Sequence, residues 1–265
     1  MPELPHDHRL ESLQALHRPY LIIESLDKNW RFEQGDTPQC YPASMIKLPI
    51  AYTIGLALEQ GLIDEAHVPI SERLMTSNDA PSAFVPGYQA RVWELVHAML
   101  AFSDNVATNA LIDLLGHQRA TQLCQDAGLR ETAIRRFLSG SLPRIADPAS
   151  TGENAHSAHD AALLLRRIAL REVPFAERLL GALDAQYWNS KLSTGLLPGD
   201  HFAHKTGETS DTSHDGGILT LATGRRYIIV LYSQSPSDSK TDAAFATVMR
   251  EIRTVFFTNA SHYRA

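Results

Sequence analysis

Short apolar runs bounded by turn residues mark both ends of this chain, and longer stretches with helical spacing fill its middle. Leu21-Ile22-Ile23 lies in a predicted strand over 20–26. A second strand over about 30–34 completes a hairpin around Asp27-Lys28-Asn29. Strands return at about 201–206, 216–223 and 226–233, the last carrying Tyr227-Ile228-Ile229-Val230-Leu231-Tyr232. Helical periodicity covers 8–17, where Leu10, Leu13 and Leu16 share a face, and then 44–61, 91–101, 106–115, 118–127, 157–171 and 240–257. Gly61 and Gly116 stand where two of these helices should stop. Strands at the ends and helices between them imply an α+β fold: one antiparallel sheet built from distant segments, flanked by the terminal helices, with an all-helical lobe inserted. The chain should then form a single domain over 1–265, its α/β lobe from about 1–43 and 200–265 and its helical lobe from about 44–199. The stretch 137–154, rich in small polar residues and proline, is long for a connection in a compact domain, and such loops are usually functional or mobile.

Composition narrows the partners. The 265 residues are 44% hydrophobic and carry a net charge of −6, which argues against nucleic acid. The arginine pairs at 135–136, 166–167 and 225–226 are scattered and read as solvated faces. No run of eighteen apolar residues is present, so no membrane span is expected. The first residues lack a basic segment followed by an apolar core, which points to a cytoplasmic location for the chain as it stands, or a periplasmic or secreted one if a leader precedes it. Cys40 and Cys124 are too few for a cysteine-rich metal site and read as reduced, packed thiols. His156-x-x-His159 and His201-x-x-His204 lack the carboxylate company of a zinc site, so neither a metal nor another cofactor is expected. The oligomeric state is left open.

Candidate chemistry begins at Ser44 and Lys47. A serine hydroxyl is a poor nucleophile until a base takes its proton, and a lysine three residues later on a helix lies on the same face. Such a lysine serves as base only when neutral, which burial or a second cation can arrange. Ser-x-x-Lys occurs three times here, at Ser25/Lys28, Ser44/Lys47 and Ser237/Lys240. The first reads as a strand leading into a turn and the third as a solvated loop after Pro236. Only Lys47 lies within an apolar stretch, Met45 to Leu58, and only Ser44 stands at a predicted helix start, where free backbone N–H groups suit an oxyanion.

Two further motifs follow in order. Ser103-Asp104-Asn105, at a predicted helix junction, reads either as a helix cap or as a loop presenting a hydroxyl and an amide into a cleft. Lys205-Thr206-Gly207, at a predicted strand end, reads either as a strand exit or as a cleft edge with a cation, a hydroxyl and a glycine that permits close backbone approach. With Ser44 and Lys47, these motifs resemble the penicillin-recognising serine enzymes, and among them the class A β-lactamases and related serine hydrolases. The resemblance extends to Ala43–Ile50, to Ser103–Ile112 and to His214-Asp215-Gly216-Gly217-Ile218, and it spans about 20–257.

The resemblance implies a serine hydrolase that opens an amide, lactam or ester of a small-molecule substrate through an acyl-enzyme on Ser44. Lys47 would be the base or proton relay, and Ser103 would pass a proton toward the leaving nitrogen. Asn105 would bind the substrate's amide side chain. Lys205 and Thr206 would hold a substrate carboxylate, with Gly207 and Glu208 completing the edge. The backbone N–H groups of Ser44 and Glu208 would form the oxyanion hole, and Lys205 would help keep Lys47 neutral. Two departures qualify this expectation. The Glu-x-x-Leu-Asn pattern whose Glu activates the deacylating water in class A enzymes is missing; Glu131 and Glu153 flank the 137–148 segment, and Glu153-Asn154 better resembles the end of the loop leading into the next helix, with a catalytic base the lesser alternative for Glu153. Glu208 also stands where the family usually has a small residue, and it could repel anions, prefer a cation, or simply point into solvent. The alternatives are therefore a related amidase, esterase or peptidase, or a sensor that acylates without turnover.

Overall fold

The computed structural model describes residues 9–36, 41–65, 67–140 and 144–257. Five strands form one antiparallel sheet in the order β2-β1-β7-β6-β5. They are β1 (Tyr20–Ser25), β2 (Arg31–Gly35), β5 (His201–Glu208), β6 (Ser213–Thr220) and β7 (Arg226–Ser233). A short pair, β3 (His67–Pro69) and β4 (Gln89–Arg91), lies apart from it. Seven α-helices are present among the described residues: α1 (Lys47–Glu59), α2 (Val92–Ala101), α3 (Asn105–Leu115), α4 (His117–Asp126), α5 (Ala158–Ala169), α6 (Ala176–Asp184) and α7 (Ser239–Ile252). None of them is long and apolar enough to cross a membrane.

The near-continuous apolar runs of β1 and β7 follow from burial on both faces. Ile22, Ile228 and Val230 join the core under the helices of the chain's middle. Leu21, Ile23, Ile229 and Leu231 pack with Phe245, Val248 and Met249 of α7 and with Leu10, Leu13 and Leu16. The strict three-residue spacing of those leucines suits a 3₁₀ turn, Glu11–Ala15, rather than the expected amphipathic helix.

Several boundaries differ from expectation for physical reasons. The α1 helix does not begin at Ser44; a 3₁₀ turn, Ala43–Ile46, leads into it. Strand β6 starts at Ser213 rather than 216, because polar Ser213, His214 and Asp215 are buried by pairing with both β5 and β7. The expected solvated loop around Ser237/Lys240 is instead the start of α7, where the Asp238 carboxylate accepts from the Thr241 N–H at 2.7 Å. Arg136 is buried rather than solvated, while the Ser25 hydroxyl caps its turn by accepting from the Lys28 N–H. Helix α6 and the β3–β4 pair escaped the periodicity reading. Cys124 is a buried free thiol; Cys40 lies outside the described residues.

The described parts of the 137–154 stretch are anchored by buried polar side chains. Asn109 of α3, fully buried, donates to the Leu138 carbonyl at 2.9 Å and accepts from the Leu138 N–H at 2.7 Å. Asp147 accepts from the Phe137 N–H at 2.6 Å and pairs with His117 at 2.8 Å. Asn154 accepts from the Arg135 and Arg136 N–H groups and donates to the Arg136 carbonyl. Replacing Asn109 by Ala would strip both backbone groups of Leu138 of their partner. Asn109→Ala is therefore expected to lose about 3 kcal/mol of stability, the scale for two stranded buried polar groups, measured as a lower urea midpoint. A loss under about 1 kcal/mol would show that the stretch is held elsewhere.

Candidate active site

The three motifs meet where the Ala43–Ile46 turn, the α2–α3 junction and strand β5 converge. In a 3₁₀ turn, side chains at i and i+3 eclipse, so Lys47 stands directly over Ser44. The Lys47 Nζ lies 3.0 Å from Ser44 Oγ, 2.6 Å from the Ser103 carbonyl, 3.0 Å from Ser103 Oγ and 2.7 Å from Asn105 Oδ1. The Lys205 Nζ reaches Ser103 Oγ at 3.1 Å and the Thr206 carbonyl at 2.8 Å. Ser103 Oγ thus bridges the two lysines.

Backbone conformation puts these groups in place. Ala43 and Ser103 both have positive φ, 47° and 60°, in a region that side chains disfavour. The turn at Ser103 directs its carbonyl and hydroxyl to Lys47. The neighbouring Asp104 carboxylate then caps α3, accepting from the Ala107 N–H at 2.9 Å. The cap and the cleft readings of this tripeptide therefore coexist on different residues. At β5, a Cβ on Gly207 would come within 2.9 Å of the Met45 backbone nitrogen, so only glycine lets the strand lie against the nucleophile turn. His214, opposite Gly207 on β6, donates from Nε2 to the Tyr41 carbonyl at 3.0 Å and fixes the approach to Ser44.

Electrostatics favour a neutral Lys47. Its side chain is fully buried, and desolvation, reinforced by the charge of Lys205, holds its pKa well below the usual lysine range. Lys205 is equally buried, and desolvation lowers its pKa to about 7 despite the opposing pull of Asp215, Glu208 and Asp79. A neutral Lys47 satisfies its surroundings: one lone pair for the Ser44 hydroxyl, and two N–H groups for the Ser103 carbonyl and Asn105 Oδ1.

Asn105 is held on three sides. Its Oδ1 faces Lys47, its Nδ2 donates to the Ser77 carbonyl at 2.9 Å, and its backbone N–H donates to Asn78 at 2.5 Å. One Nδ2 hydrogen is left over by this arrangement. Ser77, Asn78 and Asp79 carried no sequence signal, because they reach the site from a segment without a motif.

Glu208 does not simply point into solvent. Its carboxylate pairs with Lys191, whose side chain is 2% exposed and whose Nζ also lies 2.8 Å from Asp242 of α7. Lys191 and Asp242 were likewise invisible to motif reasoning. Glu153 is held by guanidinium groups, with Arg136 at 3.1 Å and Arg144 at 2.7 Å, and the pull of both arginines outweighs desolvation to hold its carboxyl below the usual range. The Glu131 side chain is exposed. The histidines weighed as zinc ligands have other partners: His204 binds Asp215 and Asn189, His201 binds Asp184, His159 binds Tyr20 and Arg31, and His156 meets Thr132.

A family model described as the beta-lactamase enzyme family matches residues 10–256. No curated protein matches the sequence. Among solved structures, a mutant of PBP-A in an acyl-enzyme complex with penicillin G is 28% identical over 90% of this chain and 89% of that one, with a TM-score of 0.77. PBP-A itself is 26% identical over 96% and 99% of the two chains, with a TM-score of 0.78. A β-lactamase from Xanthomonas campestris, 19% identical over 92% of this chain and 94% of that one at a TM-score of 0.79, shares the fold.

Proposed function

The chain belongs to the beta-lactamase enzyme family and is a serine hydrolase of β-lactamase type, and on that premise we propose that it opens its substrate by an acyl-enzyme on Ser44 that deacylates slowly. The observation that carries this reading is the buried Lys47 amine within 3.0 Å of both Ser44 Oγ and Ser103 Oγ.

Ser44 Oγ attacks the carbonyl carbon while its proton passes to Lys47 Nζ. The N–H of Ser44, in the first turn of its helix, and the N–H of Glu208 donate to the oxyanion. The C–N bond then breaks, and the leaving nitrogen takes a proton from Ser103 Oγ. Lys47, holding the proton from Ser44, reprotonates Ser103 at 3.0 Å. Lys205 stabilises the Ser103 oxygen during this exchange. The remaining Nδ2 hydrogen of Asn105 points the substrate's acyl amide.

Slow deacylation follows from the carboxylates near the 137–154 stretch. The Asp147 side chain is only 7% exposed, its Oδ2 held by His117 and Phe137, and Glu153 is held by two arginines, so neither is offered to a hydrolytic water. Mixing the protein with a chromogenic cephalosporin should release about one chromophore per Ser44 in a fast phase, then continue at least ~10²-fold more slowly. Intact mass should rise by one acyl group during the slow phase. Linear turnover with no adduct would rule out the slow step.

A further inference from the structure

We infer that Lys191, buried between β5 and α7, is a positioning residue for acylation: by holding the Glu208 carboxylate it fixes the last residue of β5, whose backbone N–H donates to the oxyanion. The inference deepens the acyl-transfer reading above and rests on it.

The faces and edges of β5 divide the work. Side chains alternate between faces along a strand. Phe202 packs with α7, while Ala203 joins the core under the helices of the chain's middle. Glu208 shares the parity of Phe202, so its carboxylate lies on the α7 side, away from the face on which Lys205 reaches Ser103. Backbone groups alternate as well, between the two edges. The Thr209 N–H donates to the Thr212 carbonyl at 2.9 Å, toward β6, so the N–H of Glu208, one residue earlier, points to the outer edge of β5. The His204 carbonyl, at the same parity as Glu208, does point outward, accepting from Gln186 Nε2 at 3.3 Å. Gly207 lies against the nucleophile turn, so the outward N–H beside it opens on the cleft at Ser44.

As an edge strand, β5 is held by a strand partner on one side only. Lys191 supplies a second hold at its end. Its ammonium pairs with the Glu208 carboxylate and lies 2.8 Å from Asp242 of α7. Desolvation alone would lower its pKa, but the hydrogen bonds to Asp242 and Glu208 outweigh it and raise it, so the ammonium stays charged. Separating one partner from a buried ion pair is costly, so Glu208 is not readily released. Lys191 is anchored in turn by its neighbour: the Leu192 N–H donates to Asp215 of β6 at 3.0 Å, and Asp215 also binds His204 of β5 at 2.7 Å. An oxyanion donor acts by being in place before charge develops, and this tie keeps the Glu208 N–H there.

The test follows penicillin acylation of Ser44 by intact mass in the wild type, Lys191→Met, Glu208→Ala and the double variant. Lys191→Met should lower the saturating acylation rate constant about tenfold, a part of the ~10²- to 10³-fold lost when an oxyanion donor is removed outright. The penicillin concentration for half-maximal rate should stay within about twofold, since the tie acts on the transition state. Glu208→Ala leaves Lys191 paired with Asp242 and carries the test if Lys191→Met does not fold. It should show the same fall, and the double variant no more, because both substitutions break one tie. In the infrared spectrum, the ester carbonyl of acylated Ser44 should move to higher wavenumber in either single variant, as a weaker hydrogen bond leaves a stronger C=O bond. An unshifted carbonyl band, a change confined to half-saturation, or losses that add in the double variant overturn the inference and leave the acyl-transfer reading standing. Failure of the wild type to form a Ser44 adduct overturns both.

Discussion

Ser44→Ala should form no covalent adduct with penicillin, and Lys47→Met should acylate at least ~10²-fold more slowly than the wild type, the scale for losing a general base. The two outcomes differ in kind. Without Ser44 Oγ no bond can form to the substrate carbonyl, whatever the time allowed. Without the Lys47 amine the nucleophile survives but keeps its proton, and Ser103 loses the group that resupplies it. Adding hydroxide should partly restore Lys47→Met, because deprotonation of Ser44 then no longer depends on an internal base. Ser44→Ala has no such rescue. An adduct on Ser44→Ala of normal yield would place the nucleophile elsewhere. A Lys47→Met rate within a few-fold of wild type would move the base to another group.

What was legible in the sequence was whatever is local. Ser44 and Lys47 are three residues apart, so one helical turn brings them together. The apolar runs of β7 and β1 are likewise readable, since burial on both faces leaves an uninterrupted apolar string, and the polar turn Asp27-Lys28-Asn29 marks the hairpin to β2. Strand β6 was misplaced by three residues at its start because its first residues are polar; they are buried only through partners on β5 and β7. The same limit hid the environment of Glu208. Lys191 is 17 residues from Glu208 and 51 from Asp242, with no pattern linking them. Ser103 and Lys205 were assigned to one site through the family resemblance, since nothing local announces that residues 102 apart hydrogen-bond each other.

Lys205→Met should raise the pH needed for acylation and remove a pH dependence from folding. Lys205 is one cause of the depressed Lys47 pKa, after desolvation. Without its charge, Lys47 holds a proton more tightly and is less often a base at neutral pH. The acidic limb of the acylation profile should therefore move to higher pH in Lys205→Met, with a loss of about tenfold in rate at pH 7. The folding effect has the opposite sense in pH. In the wild type, Lys205 has a pKa of about 7 folded, against an ordinary value of 10.5. Between these values the unfolded chain binds a proton that the native state does not, so stability rises with pH across that window. Below about pH 7 both states are protonated and the full cost of burying the charge is present. Methionine has no such titration. The unfolding free energy of the wild type should gain on that of Lys205→Met by up to about 1.4 kcal/mol per pH unit in this window. Measuring the difference between the two proteins cancels groups that titrate alike in both, such as Cys124, whose buried thiol opposes the trend. A flat difference from pH 7 to 10 would mean that Lys205 stays charged in the native state. In that case its help in keeping Lys47 neutral would be stronger, and the acylation shift in Lys205→Met should be correspondingly larger.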